Sequence, residues 1–194
     1  ISMGAFSGSL QPAMSSRWRS RALSDASAPG EVHAAATSMW RRLRRVTRLR
    51  THAEGVKPVG VDGIGIGTVE VEVVGRRLTF LETGRWYPGL ASEHGDPPTD
   101  AKGHPFRNVY VWELRRDGVI ALAHQRFGEP RPVSLLELEP VTSTELCASG
   151  PHLCGNDVYD GALRSGGEEA MTLTWLVTGP NKDCLLYTSD AADE

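Results

Sequence analysis

The sequence predicts an all-β fold: an antiparallel, up-and-down barrel of about eight strands, preceded by a short helix. Segments in which apolar and polar residues alternate recur over residues 46–178. Such alternation is typical of strands with one buried face. The 21 glycines and 12 prolines lie mostly between these segments, where they favour turns. Sequential short strands joined by turns are typical of a closed barrel or a sandwich.

The segment before the first strand is predicted to hold one helix. Ser38 can cap a helix that runs through Arg45. Met39 and Leu43 then share one side of it. Residues 1–37 are rich in Ser, Ala and Gly and lack a sustained apolar period, so we predict a disordered tail or leader there. An untranslated leader or a mistaken start codon is the preferred interpretation, and the arginines among its serines make an organelle-targeting segment the alternative.

The predicted strands follow the alternation. They are residues 46–53, 68–74, 77–86, 106–115, 119–127, 133–138, 157–164 and 171–178. The dipeptide 75–76 is predicted to join two of them as a hairpin turn. The glycine run 63–67 lacks the strand and helix that flank a phosphate-binding loop, so we interpret it as a bent part of a strand. Residues 87–105 hold four prolines and are predicted to form a long surface loop.

The C-terminal segment 184–194 is predicted to lie outside the barrel. A possible coding sequence for it matches a transposase adapter used in sequencing libraries, so we interpret it as adapter read-through that contributes no specific packing beyond accidental strand extension. The barrel domain is then 38–183, and we expect it to lack its natural C-terminal continuation. With Cys184 set aside, Cys147 and Cys154 are predicted to be reduced thiols.

Charge and motif spacing exclude several function classes. The basic run 41–45 is followed by an acidic domain and has one aromatic neighbour, Trp40, so a solvated helix face is preferred to a nucleic-acid contact. No stretch approaches the ~20 apolar residues of a membrane-spanning helix. His152 and Cys154 lack a third and a fourth metal ligand. We therefore expect a cytoplasmic protein without nucleic-acid, membrane or metal partners, and the sequence does not predict its oligomeric state.

Alternate residues of a strand share a face, and this parity places several polar side chains on otherwise apolar faces. These residues are Glu82, Asn108, His124, Arg126, Asp157 and Tyr159. Burying an unpaired charge costs several kcal/mol, so the groups must either pair with one another or meet a ligand. Glu82 and Arg126 are the predicted pair under the first alternative.

Four motifs then carry a resemblance to a known family. They are 106–112 (FRNVYVW), 124–128 (HQRFG), 152–159 (HLCGNDVY) and 175–183 (WLVTGPNKD). Over about residues 40–183 the chain resembles an uncharacterised bacterial family, catalogued as domain of unknown function 6314. The resemblance implies a lipocalin-like (calycin) barrel with one more strand after the Lys182–Asp183 step. It implies no activity.

These observations predict a barrel that binds a small apolar or amphipathic molecule in its lumen. The alternative is an enzyme on the same barrel, with Glu82 or His124 as general base. No cofactor is expected. Haem held by His124 or His152 is the alternative, because relatives among the calycins bind haem. The predicted ligand-binding residues are Glu82, Trp86, Arg107, Trp112, His124, Arg126, His152, Asp157, Tyr159, Trp175 and Lys182.

Overall fold

The computed structural model describes residues 29–57, 62–90, 96–125, 130–166, 170–180 and 182–191. Within these ranges one helix precedes eleven strands. They are α1 (Pro29–Leu43), β1 (Arg48–Lys57), β2 (Gly63–Val74), β3 (Arg77–Pro88), β4 (His104–Leu114), β5 (Ile120–His124), β6 (Val133–Thr142), β7 (Glu145–Ala148), β8 (His152–Cys154), β9 (Asp157–Gly166), β10 (Ala170–Gly179) and β11 (Lys182–Ala191).

The strands form a single, curled antiparallel sheet. Strands β1 to β7 pair in sequence order, β7 pairs with β9, and β9 pairs with β10. Strand β11 then joins β10 to β1, so the hydrogen-bonded pairings return to the first strand. The short β8 pairs with the start of β9, beyond the end of β7. This arrangement confirms the predicted antiparallel β fold, and we call the interior of the curled sheet the lumen.

Helix α1 covers the end of the lumen at which β4 turns into β5. Ala36, Met39 and Leu43 are almost fully buried and share one core cluster with Leu114 and Ile120, the residues that flank this turn. Burial of these side chains stabilises the packed helix by roughly 1.5–3 kcal/mol for each large one. The helix therefore closes the apolar end of the lumen.

The helix begins earlier than the sequence predicts. It starts at Pro29 rather than at Ser38, so residues 29–37 belong to the helix and not to the predicted tail. Ala35 and Ala36 are buried one turn before Met39 and Trp40. An apolar stripe that begins with alanines is easily missed by eye, because alanine is also common in disordered segments. The rest of the predicted tail lies outside the described residues.

The strand count also exceeds the prediction of about eight. Strands β7 and β8 were not predicted, because they have four and three residues and show no sustained alternation. The other predicted strands are present with shifted ends. The first begins at Arg48 rather than Val46, and the fifth ends at His124 rather than at 127.

Strand β11 falls on the segment that was predicted to lie outside the barrel. Its backbone pairs on both sides: Tyr187 is the register partner of His52 on β1 and of Thr174 on β10. The sequence interpretation allowed for accidental strand extension, and adapter read-through stays a prediction. Backbone pairing depends little on side-chain identity, so a β-prone segment that reaches the gap between β1 and β10 can fill it.

Three glycines of the run 63–67 lie within β2, which confirms a strand in place of a phosphate-binding loop. A methyl group added at Gly63 would come within 2.6 Å of the Trp86 ring, and one at Gly84 within 2.7 Å of the Phe106 ring. Two aromatic rings therefore lie directly against the backbone of β2 and β3. The glycines are needed there because a side chain would occupy the space of the rings.

Candidate functional site

A cavity of about 380 Å³ occupies the lumen beyond the end that α1 covers. The described lining residues come from most strands of the sheet. Its apolar floor includes Phe80, Trp112, Leu122 and Leu173, all at most 7% exposed. The Phe80 and Trp112 rings are in tilted contact, with centroids 5.8 Å apart. Two aromatic rings in contact therefore form part of the floor.

Polar side chains line the cavity at positions two residues further from α1 along their strands. On β3 the carboxyl of Glu82 follows Phe80 on the lumen face, and on β5 His124 follows Leu122. Asn108 lies next to Glu82, because the two are direct register partners on β3 and β4. Since residues two apart on a strand share a face, β3 and β5 each carry an apolar residue toward α1 and a polar one away from it.

Glu82 is the acid of this cavity. Its Oε2 accepts a hydrogen bond from Nδ2 of Asn108 at 3.2 Å. Burial raises the pKa of the Glu82 carboxyl from 4.5 to about 7, and the hydrogen bond from Asn108 opposes part of that rise. No lysine or arginine of the described ranges forms an ion pair with it. Near neutral pH the carboxyl can therefore exist in both protonation states.

Tyr110 and His124 form an aromatic pair beside Glu82. They are register partners on β4 and β5, and their ring centroids lie 5.0 Å apart. Burial and the negative charge of Glu82 both raise the pKa of the Tyr110 hydroxyl above its ordinary value. The phenol therefore stays protonated and is a permanent hydrogen-bond donor.

The opposite wall brings a second aromatic pair to the cavity. His152 on β8 and Tyr159 on β9 are register partners, and their ring centroids lie 6.1 Å apart. The thiol-bearing Cys154 also lines the cavity and is a free, exposed cysteine. No group of three or more His, Cys, Asp or Glu side chains in the described part of the chain is placed to hold a metal ion.

Trp112 carries an unusual polar atom in the floor. Its side chain is 3% exposed, and its Nε1 has no hydrogen-bond partner among the described residues. A buried donor without an acceptor costs about 1–3 kcal/mol. The floor of the cavity therefore includes one residue whose donor is unsatisfied.

A comparison with protein families identifies the family of the chain. A family model described as "Family of unknown function (DUF6314)" matches residues 37–190, which is well over half of the sequence. The chain belongs to the DUF6314 family. No curated protein and no solved structure matches it. The lipocalin-like classification that the motifs imply stays a prediction.

In this DUF6314 chain, the cavity brings together six of the predicted ligand-binding residues. They are Glu82, Trp112, His124, His152, Tyr159 and Trp175. Their strands lie on both sides of the lumen, so only the curled sheet brings them to one place. That these residues bind a ligand stays a prediction.

Three other predicted residues lie outside the cavity lining, and the side chains of two more fall outside what the structure describes. Trp86 packs on the glycines of β2, outside the cavity lining. Arg107 is exposed on the outer face of β4, because Phe106 and Asn108 on either side of it face the lumen. Asp157 is half-buried against Gly179. Arg126 lies outside the described residues, as does the side chain of Lys182, so the predicted Glu82–Arg126 pair stays a prediction.

Sequence reasoning missed much of the lining. The residues not named as binding residues are Thr51, Phe80, Asn108, Tyr110, Leu122, Val133, Leu135, Cys154, Leu173, Val177 and Thr188. Alternation along β3, β4 and β5 does place Phe80, Tyr110 and Leu122 on the same faces as Glu82, Asn108 and His124, although they were not predicted as binding residues. Thr188 could not be found, because its segment was excluded from the fold.

Among the described residues, no helix is both long enough and apolar enough to cross a membrane.

Proposed function

We propose that this chain binds a small apolar or amphipathic molecule in its lumen. The observation that carries the proposal is the order of polarity within the 380 Å³ cavity. Phe80, Trp112 and Leu122 form an apolar floor, whereas Glu82 and His124 lie one step further from α1. Small-molecule sites of proteins typically combine roughly 300–1,000 Å³ of mostly apolar space with a few placed polar groups.

A purely structural role for Glu82 fits the geometry less well. A carboxylate has about four lone-pair positions, and the described side-chain bond to Glu82 comes from Asn108 alone. A structural network would satisfy the carboxylate and fill the space beside it. Here a cavity lies beside Glu82, and a bound molecule can supply further hydrogen bonds to it.

A fluorescent titration tests binding. The probe is N-phenyl-1-naphthylamine, whose emission rises in apolar surroundings, added to the full chain. Val133→Trp adds a large ring at the half-buried edge of the cavity, and Val74→Trp adds the same ring at an exposed strand position outside it. We expect saturable binding in the unmodified chain and in V74W, and at least a tenfold weaker affinity in V133W. Equal affinities in all three would contradict binding in the lumen.

The enzyme alternative is favoured by one observation, the raised pKa of about 7 at the Glu82 carboxyl. A base with such a pKa in a buried site can accept a proton from a bound molecule. The probe reaction is the ring opening of 5-nitrobenzisoxazole, in which the base removes one C–H proton as the N–O bond breaks. Turnover that rises with pH around 7 and is lost in Glu82→Gln, but not in Glu113→Gln on the outer face of β4, would favour an enzyme. Rates equal to those of free buffer would favour the binding protein.

A further inference from the structure

We infer that the lumen selects a molecule with an apolar body and a positively charged ammonium group, held at Glu82 within the aromatic wall. This inference rests on the proposed function and names the ligand class of the same cavity. Three observations carry it: the charge of the described lining, the hydrogen-bonding capacity of Glu82, and the arrangement of the aromatic rings.

The charged groups of the described lining include one acid and no permanent cation. Glu82 is the carboxyl, and the imidazoles of His124 on β5 and His152 on β8 also line the cavity. Lysine and arginine are absent from the described lining. A ligand carboxylate would therefore meet a like charge at Glu82 without a permanent cation to offset it.

The Glu82 carboxyl keeps acceptor capacity for a ligand. Its described side-chain partner, Asn108, is neutral and uses one lone pair at 3.2 Å. An ammonium group has up to three N–H donors and a full positive charge. Charge-assisted hydrogen bonds are roughly twice as strong as neutral ones, so an ammonium group satisfies this carboxylate better than a hydroxyl does.

The aromatic rings complete a site for a cation. Tyr110 lies between Glu82 and His124 in the register of β3, β4 and β5, because Asn108 and Tyr110 are neighbours on the same face. Trp112 and Trp175 line the same cavity from β4 and β10. The faces of such rings attract a cation within about 6 Å. Phe80, Leu122 and Leu173, the other residues of the apolar floor, fit the hydrocarbon part of the molecule.

A matched series of three molecules tests the inference. 3-Phenylpropylamine, 3-phenyl-1-propanol and 3-phenylpropionate share one apolar body and differ in the charge of the head group. Affinities are measured by calorimetry at pH 8 and pH 5.5 on the full chain. At pH 8 we expect the amine to bind roughly tenfold more tightly than the alcohol and the carboxylate to bind most weakly. At pH 5.5 the advantage of the amine should shrink, because Glu82 takes up a proton while the amine stays charged.

Two variants show whether the preference for the amine depends on Glu82. Glu82→Gln keeps the shape and removes the charge, so the amine and the alcohol should bind it equally. Glu113→Gln removes an exposed acid from the outer face of β4 and should leave the amine preference unchanged. The pH series on the unmodified chain gives the same answer without a variant if E82Q does not fold.

These experiments distinguish a failure of the ammonium inference from a failure of the proposed binding in the lumen. If the three molecules bind equally, or the carboxylate binds most tightly, the ammonium inference is overturned and binding in the lumen stands. If none of the three binds while N-phenyl-1-naphthylamine does, the ammonium inference is again overturned, and binding in the lumen again stands. If that probe does not bind either, the proposed function fails, and the inference fails with it.

Discussion

Asn108 donates a hydrogen bond from Nδ2 to Oε2 of Glu82 at 3.2 Å, across a pair of strands in which the two residues are direct register partners. The bond joins an amide to a carboxyl group that burial holds partly neutral. A buried acid with a neutral partner is costly when it is charged. This relationship makes the stability of the fold depend on pH.

The first prediction is that the unmodified chain loses stability as the pH rises from about 4.5 to above 7. The pKa of Glu82 is raised to about 7 in the folded chain from its ordinary value of 4.5. In this window the folded state binds more protons than the unfolded state, so the free energy of unfolding falls with rising pH, by at most about 3 kcal/mol. Urea midpoints measured from pH 4.5 to pH 8.5 check this.

Its control is a pair of glutamine variants. Glu82→Gln should flatten this part of the pH profile and should be more stable than the unmodified chain at pH 8. Glu113→Gln, on the exposed face of β4, should keep the slope. A profile that is the same in E82Q and in the unmodified chain would show that Glu82 faces water.

The candidate site could be predicted in part from the sequence. Parity alone places Glu82, His124 and Tyr159 on faces that turn inward, and all three line the cavity. Parity gives no depth along a strand, so Trp86 and Asp157 share the predicted faces but lie beyond the lining. Arg107 came from a motif and not from parity, and its strand neighbours show why it faces outward.

The second prediction concerns the glycine pair Gly67–Gly84, which are register partners on β2 and β3. A methyl group at Gly67 would collide with the carbonyl oxygen of Thr83 and come within 3.0 Å of the Gly84 Cα. Backbone atoms cannot move aside cheaply, so Gly67→Ala should lower the free energy of unfolding by roughly 1–3 kcal/mol. Gly150→Ala, where a methyl group meets open space, is the control and should change it by less than about 0.5 kcal/mol. Equal stability of both variants would contradict the close approach.

The third prediction concerns the helix over the end of the lumen. Leu43 is fully buried between α1 and the sheet, so Leu43→Ala should cost roughly 2–5 kcal/mol. Arg41→Ala, at an exposed position of the same helix, should be nearly neutral. Both are measured by chemical denaturation. A neutral Leu43→Ala would show that the helix does not pack on the lumen.

The fourth prediction decides the role of β11. Ending the chain after Asp183 removes most of the strand that pairs with both β1 and β10. We expect the thermal midpoint to fall by more than about 5 °C, because two strand edges lose their partner. Ending the chain after Ala191 is the control and should leave the midpoint unchanged. A change within about 2 °C for the shorter chain would support adapter read-through without specific packing.

The fold class could be predicted because alternation is a local signal. The hairpin of β2 and β3 has valines on one face and a Gly75–Arg76 turn, and it forms as predicted. The pairing of β7 with β9 depends on contacts between distant segments, such as Cys147 with Ala162. No local pattern reports such contacts, so the sequence did not predict this pairing.

The most direct test of binding in the lumen is an NMR titration that follows the indole N–H signals of the tryptophans. Trp112 and Trp175 line the cavity, whereas Trp40 is a buried residue of α1 outside the lining. On addition of N-phenyl-1-naphthylamine, we predict that the signals of Trp112 and Trp175 shift and saturate together, while that of Trp40 stays unchanged. Signals are assigned by single Trp→Phe variants. Saturable binding that leaves Trp112 and Trp175 unmoved, or no binding at all, would contradict the account.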